Sequence, residues 1–263
     1  MYNPKISIVT ITYNSEKTLE ETIQSVVSQD YSNLEYLIID GGSKDKTLDI
    51  VEKYRDRISL VISEPDKGIS DAFNKGIRNA TGEIIGIINS DDLLLPGALK
   101  ALAENYDSEI GVYRGNTIVW NDETNTKIVA KPTMRFPLYS IRKKIVCHPS
   151  TFIAKKIYNE YGGFKESFKY MMDVDLLIRL YKNDVLFKYI NYDLAAFRLG
   201  GTTNNSYKKK ISEVRRLYKE NGALSIWAEF MVVHFSVYNI IAICMRKIIN
   251  PDLLRKWKFA LMK

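Results

Sequence analysis

Apolar residues along the first hundred positions come in two rhythms. The run "KISIVTITYN" is nearly continuous and β-branched, which predicts a strand. It gives way to Leu19, Ile23, Val26 and Val27, whose spacing predicts a helix over about Ser15 to Gln29. The alternation then repeats. "LEYLIIDGGS" is a second strand, a helix follows from about Asp45, "ISLVIS" is a third strand, a helix covers about Ile69 to Ala80, and "EIIGIIN" is a fourth strand. Pro96 is expected at the first position of the next helix, where its missing N–H costs nothing. Apolar strands without polar alternation, separated by amphipathic helices, predict an α/β protein with a mostly parallel, Rossmann-like sheet covered on both faces.

Polar residues gather where those strands end: Thr12 to Asn14, Asp40 to Ser43, Glu64 to Lys67 and Asn89 to Asp92. In an open parallel sheet that edge is the ligand edge. Beyond Ile110 the pattern loosens into "IGVYRGNTIVWND", a helix near Asp175 to Lys182, and strands near Leu186 to Ile190 and Leu194 to Leu199. The last sixty residues differ again. "SYKKKISEVRRLYKENG" reads as a basic helix ending at Gly222. An apolar stretch over 223–245 follows, broken by Glu229, His234 and Asn239, and then "RKIINPDLLRKWKFALMK", which mixes cations with Trp257, Phe259 and Leu261.

Charge sharpens that division. Of the net +7, the segment from Ser206 onward carries twelve Lys or Arg against four acids, whereas residues 1–205 carry 26 against 27. The basicity therefore speaks for a partner of the tail alone. With 263 residues, 46% of them hydrophobic, the chain can bury one substantial core. A catalytic domain over 1–205 with a basic, amphipathic helical extension over 206–263 fits better than two equal domains. Cys147 and Cys244 have no paired ligand spacing, which argues against a disulfide framework or a thiolate zinc site and suits a reducing compartment. "MYNPKISIVT" lacks the pattern of a secretory signal, so a cytoplasmic location is expected.

The candidate chemistry starts at "GIINSDDLLLP". Asp91 and Asp92 end a buried strand, where a carboxylate pair can hold Mg²⁺ or Mn²⁺, or can cap the next helix or close a turn. Asp40 can accept hydrogen bonds from a nucleobase, with Gly41 and Gly42 allowing close approach, or "DGGS" can simply form a turn. In "EPDKGISDAFNKGIRNATGE", Lys67, Lys75 and Arg78 face phosphate or solvent. "YMMDVDLL" places Asp173 and Asp175 at a helix start, two residues apart and so pointing in different directions. His148, Arg198 and Trp120 (with Tyr113 on the same run) each have a plain structural reading beside a ligand-contact one, and "GGF" at 162–164 reads as a backbone requirement.

In order, "SIVTITYN", "LEYLIIDGGSKDKT", "SEPDKGISDAFNKGIRNATGEIIGIINSDD" and "GGFKESFKYMMDVDLLIRL" resemble the family 2 glycosyltransferases, inverting enzymes of the GT-A fold, over about residues 4–205. The likeness is nearest to bacterial members that build surface polysaccharides. It implies that Thr12 and Asp40 hold the nucleotide and that Asp66 and Lys67 line its pocket. "NSDD" matches an Asp-x-Asp-type motif, with Ser90 assigned to the nucleotide sugar, Asp91 and Asp92 to a divalent cation, and Asn89 departing from the pattern. Asp173 aligns with the catalytic aspartate, which removes the acceptor hydroxyl's proton. A histidine at the place of His148 implies a donor or acceptor contact.

The expected activity is thus metal-dependent transfer of a hexose from a nucleotide sugar, UDP-linked by expectation, to a glycan or lipid-linked acceptor. Two rivals are weaker. A sugar-nucleotide pyrophosphorylase would want a Gly-rich, Arg-containing loop after the first strand, where this chain has "TYNSEKT"; a non-catalytic relic would not need a complete acid set. For residues 223–263 two readings stay open: contact with the inner face of a membrane, or packing on the catalytic domain or across a homodimer. Nucleic acid is not expected, because basicity without a reading motif is confined to the tail.

Overall fold

The computed structural model describes residues 2–121, 125–136, 147–199 and 207–224, with scattered positions between 226 and 237. The first half alternates as its apolar pattern predicts: β1 (Ile6–Thr12), α1 (Leu19–Val27), β2 (Leu34–Asp40), α2 (Thr47–Lys53), β3 (Leu60–Ser63), α3 (Ile69–Asn79) and β4 (Ile84–Asn89). There follow β5 (Leu93–Leu94), α4 (Ala98–Glu104), β6 (Val112–Asn121), β7 (Thr126–Ala130), β8 (Thr151–Ala154), α5 (Lys155–Tyr161), α6 (Met172–Lys182), β9 (Phe187–Arg198) and α7 (Tyr207–Glu220).

The described strands form a single sheet in the order β3-β2-β1-β4-β8-β6-β9-β5, with β7 on β6. β1, β2, β3 and β4 pair in parallel, as do β6 and β9, while β8 runs antiparallel between β4 and β6. Side chains alternate between two cores. Val9, Leu37, Ile39, Ile85 and Ile87 pack under α3 and α6. Ile6, Ile8, Ile38, Ile84 and Ile88 pack under α1 and α4. β1, β2 and β4 are therefore buried on both faces, which is why these three lack alternation, whereas β3 at the edge of the sheet is only partly buried. α3 lies hard against β1: a Cβ on Gly76 would sit 2.3 Å from Val9 Cγ1.

Three local expectations are corrected. Pro96 lies outside α4, which starts at Ala98 after Gly97 at φ +76°. The preceding residues are held extended, with Leu93 and Leu94 paired to β9 and the Leu95 N–H donating to Leu194 O, so the chain turns only at the glycine. The two short strands expected beyond Leu186 are one strand, β9, whose polar middle passes through an irregularity in its pairing with β6 around Asn116. α1 begins at Leu19, because Ser15 to Thr18 form a turn closed by the Thr18 N–H donating to Ser15 O.

Across the expected boundary at 205–206, α7 is packed on the same body. Leu217 belongs to the core under α3 and α6, and the Arg216 guanidinium lies 3.9 Å from the Phe168 ring centroid. Gly222, at φ +83°, follows the helix as its sequence suggests.

Candidate active site

Register carries the strand-end residues to one edge. Thr12 pairs with Asp40, Asp40 with Ser63, and Ile11 with Asn89, so β1, β2, β3 and β4 end in line. The loops that continue them are tied together. The Gly41 N–H donates to Thr12 O at 2.9 Å, the Asn14 N–H to Ser43 Oγ at 2.8 Å, and the Ser15 and Ser90 hydroxyls meet at 2.8 Å.

Asp40 is fully buried and accepts four hydrogen bonds from its own surroundings: the Gly42 and Ser43 N–H groups at 3.1 and 3.0 Å, the Ser63 hydroxyl at 2.6 Å and the Ser43 hydroxyl. A carboxylate offers about four lone-pair positions. Asp40 therefore shapes the "DGGS" turn, and a nucleobase N–H reaching it would replace one of the two hydroxyls. Thr12 is its counterpart: buried, with an Oγ1 that has no partner.

The acids at the end of β4 part company. Asp92 has no exposed surface; its Oδ2 accepts from Asn89 Nδ2 at 3.0 Å and its Oδ1 from the Arg198 N–H at 3.2 Å. Burial, reinforced by the nearby Asp91 charge, pushes its pKa up to about 8. Asp92 thus braces β4 against β9, with both carboxylate oxygens engaged inside the protein. Asp91 is half-buried, and burial also raises its pKa. Beside it Asn89 Oδ1 is buried without a partner. One carboxylate and one unpartnered amide oxygen fit Mg²⁺ or Mn²⁺, which take few protein ligands and leave positions for water and diphosphate. Among the described residues no three His, Cys, Asp or Glu side chains form a closed metal cage.

Arg198, in the stretch "FRLGGTTNN" (residues 197–205), is held by its neighbours and is half-buried rather than exposed to solvent. Its Nε donates to Asp91 O at 3.2 Å, its Nη2 pairs with Glu21, and its guanidinium lies 4.8 Å from the Trp120 ring centroid. Trp120, Lys127 and Arg198 share one register row across β7, β6 and β9, and Lys127 Nζ lies 5.0 Å from the same ring. Tyr113 is buried, its hydroxyl donating to Asp107 O at 2.6 Å, and so takes the packing role. The rest of "FRLGGTTNN", from residue 200 on, lies outside the described residues.

Lys75 corrects the choice between phosphate and solvent. It is buried, 2.7 Å from Asp66, 3.0 Å from Glu64 and 3.6 Å from Asp71. Burial works to lower the ammonium's pKa, but the pairs with Asp66 and Glu64 outweigh it and hold the pKa above the usual lysine value. Asp66 is thereby pinned against Gly41, where a Cβ would meet Asp66 Oδ2 at 2.8 Å. The Lys67 N–H donates to Asp71 at 3.0 Å, leaving an exposed side chain at the rim. The Asp71–Lys75 spacing of four residues was the available signal.

The acids of α6 also divide. Asp175 is fully buried between Lys165 at 3.1 Å and Arg179 at 2.9 Å. Asp173 lines a cavity of about 10 Å³ with His148, Thr151 and Tyr158, room for about one water. Its Oδ1 accepts from the Val174 N–H at 2.7 Å. Burial raises its pKa to about 6 against the lowering effects of that N–H and of the Arg114 charge. His148 stacks on Phe73 with ring centroids 4.8 Å apart; burial, then the Arg114 charge, lowers its pKa to about 4, so the ring is neutral, and Nε2 has no partner. Arg114, which sequence reasoning passed over as one cation in a strand, is fully buried and donates to Thr151 Oγ1 at 3.1 Å.

"GGF" is a backbone device. A Cβ on Gly163 would strike Asn74 Oδ1 at 2.3 Å, and that same oxygen accepts from the Phe164 N–H at 2.9 Å.

The fold is that of the GT-A glycosyltransferases. The structure superposes on Staphylococcus aureus TarS residues 1–349 in complex with UDP-GlcNAc at a TM-score of 0.66, with 21% identity, covering 88% of this chain and 71% of that one. The mannosyltransferase PcManGT from Pyrobaculum calidifontis, in complex with GDP-Man and Mn²⁺, gives 0.63 and 19% identity over 83% and 64%. Residues 7–162 match the model of the family described as Glycosyl transferase family 2, and the chain belongs to that family. An uncharacterized glycosyltransferase of Rickettsia typhi is 29% identical over 66% of this chain and 58% of its own length. Chondroitin synthase of Escherichia coli is 29% identical over 72% and 28%. A PGL/p-HBAD biosynthesis glycosyltransferase of Mycobacterium tuberculosis is 26% identical over 80% and 83%. The chain thus spans a little under three-fifths of the rickettsial relative.

Proposed function

We propose that the chain is an inverting transferase moving a hexose from a UDP-sugar to a glycan or lipid-linked acceptor, with Asp173 as general base. The observation that carries this reading is the division of labour on α6: Asp175 is consumed by Lys165 and Arg179, while Asp173 lines the cavity beside neutral His148 with a pKa near neutrality. In the step itself, the acceptor oxygen forms its bond to the sugar's anomeric carbon as that carbon's bond to the diphosphate breaks. The acceptor proton passes to the Asp173 carboxylate, and the electron pair leaves with the nucleoside diphosphate. Asp91 and Asn89 would hold a divalent cation, Mn²⁺ or Mg²⁺, which supplies Lewis-acid stabilisation to the leaving group. Thr12, Asp40, Asp66, Lys67 and Ser90 hold the nucleotide sugar in this reading, and His148 touches donor or acceptor.

The UDP complex of TarS supports the donor class, and the names of the chondroitin synthase and PGL/p-HBAD biosynthesis relatives support the acceptor class. The test is a thermal-shift series of UDP, GDP and dTDP with Mn²⁺, followed by hydrolysis assays on UDP-sugars. UDP should give the largest shift and a UDP-sugar should be cleaved. A preference for GDP would replace the donor, and turnover undiminished in Asp173→Asn would remove the base.

For the tail we propose an anionic membrane surface. Ile226, Phe230, Val233 and Val237 recur at one-turn spacing and are 85%, 59%, 59% and 48% exposed, while Val232 is buried against Val214 and Tyr218. Glu229, one of the polar residues that break the apolar stretch, pairs with Arg215 at 2.9 Å. His234, Asn239 and the basic run from Arg246 lie outside the described residues; in sequence that run adds six cations against one acid after the apolar face. That charge favours anionic lipid over a second copy bearing the same charge. No helix among the described residues is long and apolar enough to cross a membrane. The protein should sediment with phosphatidylglycerol vesicles and not with phosphatidylcholine vesicles, and Phe230→Glu/Val233→Glu should release it. A dimer in solution that the same pair of changes dissociates would assign this face to a second copy instead.

A further inference from the structure

Glu213, on the second turn of α7, is buried at 8% exposure although it carries a charge. Its carboxylate reaches back more than forty residues to the segment that leads into α6. Oε1 accepts from the Lys169 N–H at 2.8 Å, and Oε2 accepts from the Tyr170 and Met171 N–H groups at 2.8 and 3.1 Å. Those are the last residues before α6, whose second residue is Asp173. These N–H groups lie just ahead of α6, outside its hydrogen-bond ladder, so the carboxylate satisfies three donors and also sits near the positive end of the helix dipole.

The same segment is gripped elsewhere. Lys165 bridges Asp175 and Glu220, Arg216 donates to Ser167 O, and the Ser70 hydroxyl donates to Phe168 O at 3.0 Å. Those contacts hold residues 165–168. Glu213 holds the three residues between them and the base-bearing helix, where a small rotation would swing Asp173 about the acceptor hydroxyl.

We propose that Glu213 is a positioning residue for sugar transfer, acting through the backbone of Lys169 to Met171 to set the direction in which Asp173 presents its carboxylate. The inference rests on Asp173 being the base, and the test separates the two. Misplacement of about 1 Å at a reacting group can cost on the order of 100-fold in rate. Glu213→Ala should therefore lower kcat for UDP-sugar hydrolysis at least tenfold while leaving the Kd for UDP within twofold. Glu213→Gln keeps the shape but turns its amide NH₂, a donor, toward an N–H group, and should fall between alanine and wild type.

Leu217→Ala, one turn further along α7 and in the core, is the stability control. It should lower Tm as much as Glu213→Ala yet leave kcat within twofold when both are assayed well below their melting points. Adding Glu213→Ala to Asp173→Asn should cost nothing more, because a residue that acts through Asp173 has nothing left to act on. Glu213→Ala with kcat within twofold of wild type, or a kcat loss equalled by Leu217→Ala, would overturn the proposal while leaving Asp173 untouched. If Glu213→Ala does not fold, Glu213→Gln with the same double-variant comparison decides the matter. Full turnover in Asp173→Asn would instead remove the base assignment, and Glu213 with it.

Discussion

At the scale of the residue, the proposed function gives paired acids opposite jobs, and the pairs can be told apart by experiment. Replacing a general base costs about 10²- to 10⁴-fold in rate, so Asp173→Asn should lose that much kcat and keep its affinity for UDP, measured by calorimetry. Because burial lifts the Asp173 pKa to about 6, the active ionised form is lost as pH falls through that value. The profile of kcat/KM should drop tenfold per unit below about pH 6 and flatten above it, and Asp173→Glu should move the bend. For Asp91→Ala a loss of about two to three orders of magnitude is expected, the scale of several kcal/mol of metal stabilisation, read as turnover with saturating Mn²⁺. Asp92→Asn should retain far more. The Asp92 pKa is raised to about 8, so its contribution to stability is full below the ordinary carboxylate value and is lost as pH rises through 8. The asparagine variant, neutral throughout, should show a smaller fall in Tm between pH 6 and pH 9 than the wild-type chain.

Between elements, the decisive contacts are close approaches that a pattern of apolar letters cannot encode. β1, β2 and β4 were readable because each is apolar on both faces, and α3 because Phe73, Ile77 and Ala80 recur at helical spacing. The unbroken β9 was hidden by Asn191, Tyr192 and Asp193, polar residues that accompany the irregular pairing with β6. α4 was misplaced by two residues because ladder pairing of Leu93 and Leu94 outweighed the preference of Pro96 for a helix start. Gly76 reads as one weak position in a helix, yet it sets how near α3 comes to β1. Gly76→Ala would raise intrinsic helix propensity, but overpacking against Val9 should dominate and destabilise the protein by about 1–3 kcal/mol, measured by urea denaturation. Nucleotide affinity should weaken with it, since α3 also carries Lys75, which pins Asp66.

For the molecule as a whole, the strand-end acids were legible in the sequence because they interrupt apolar runs, while the apparatus that orients them was not. Arg114, Lys75 and Glu213 look like ordinary surface charges in a one-dimensional reading; only the fold shows them buried, with partners as far as 44 residues away. The basic helix that seemed an appendage closes this apparatus. Its placement has a consequence for the order in which the protein comes into being. A nascent chain that has emerged only as far as residue 205 already holds every acid assigned to the chemistry, yet the N–H groups ahead of its base await a carboxylate not yet translated. On the proposed assignment, synthesis from the amino end would complete the nucleotide site first and arm the transfer step last.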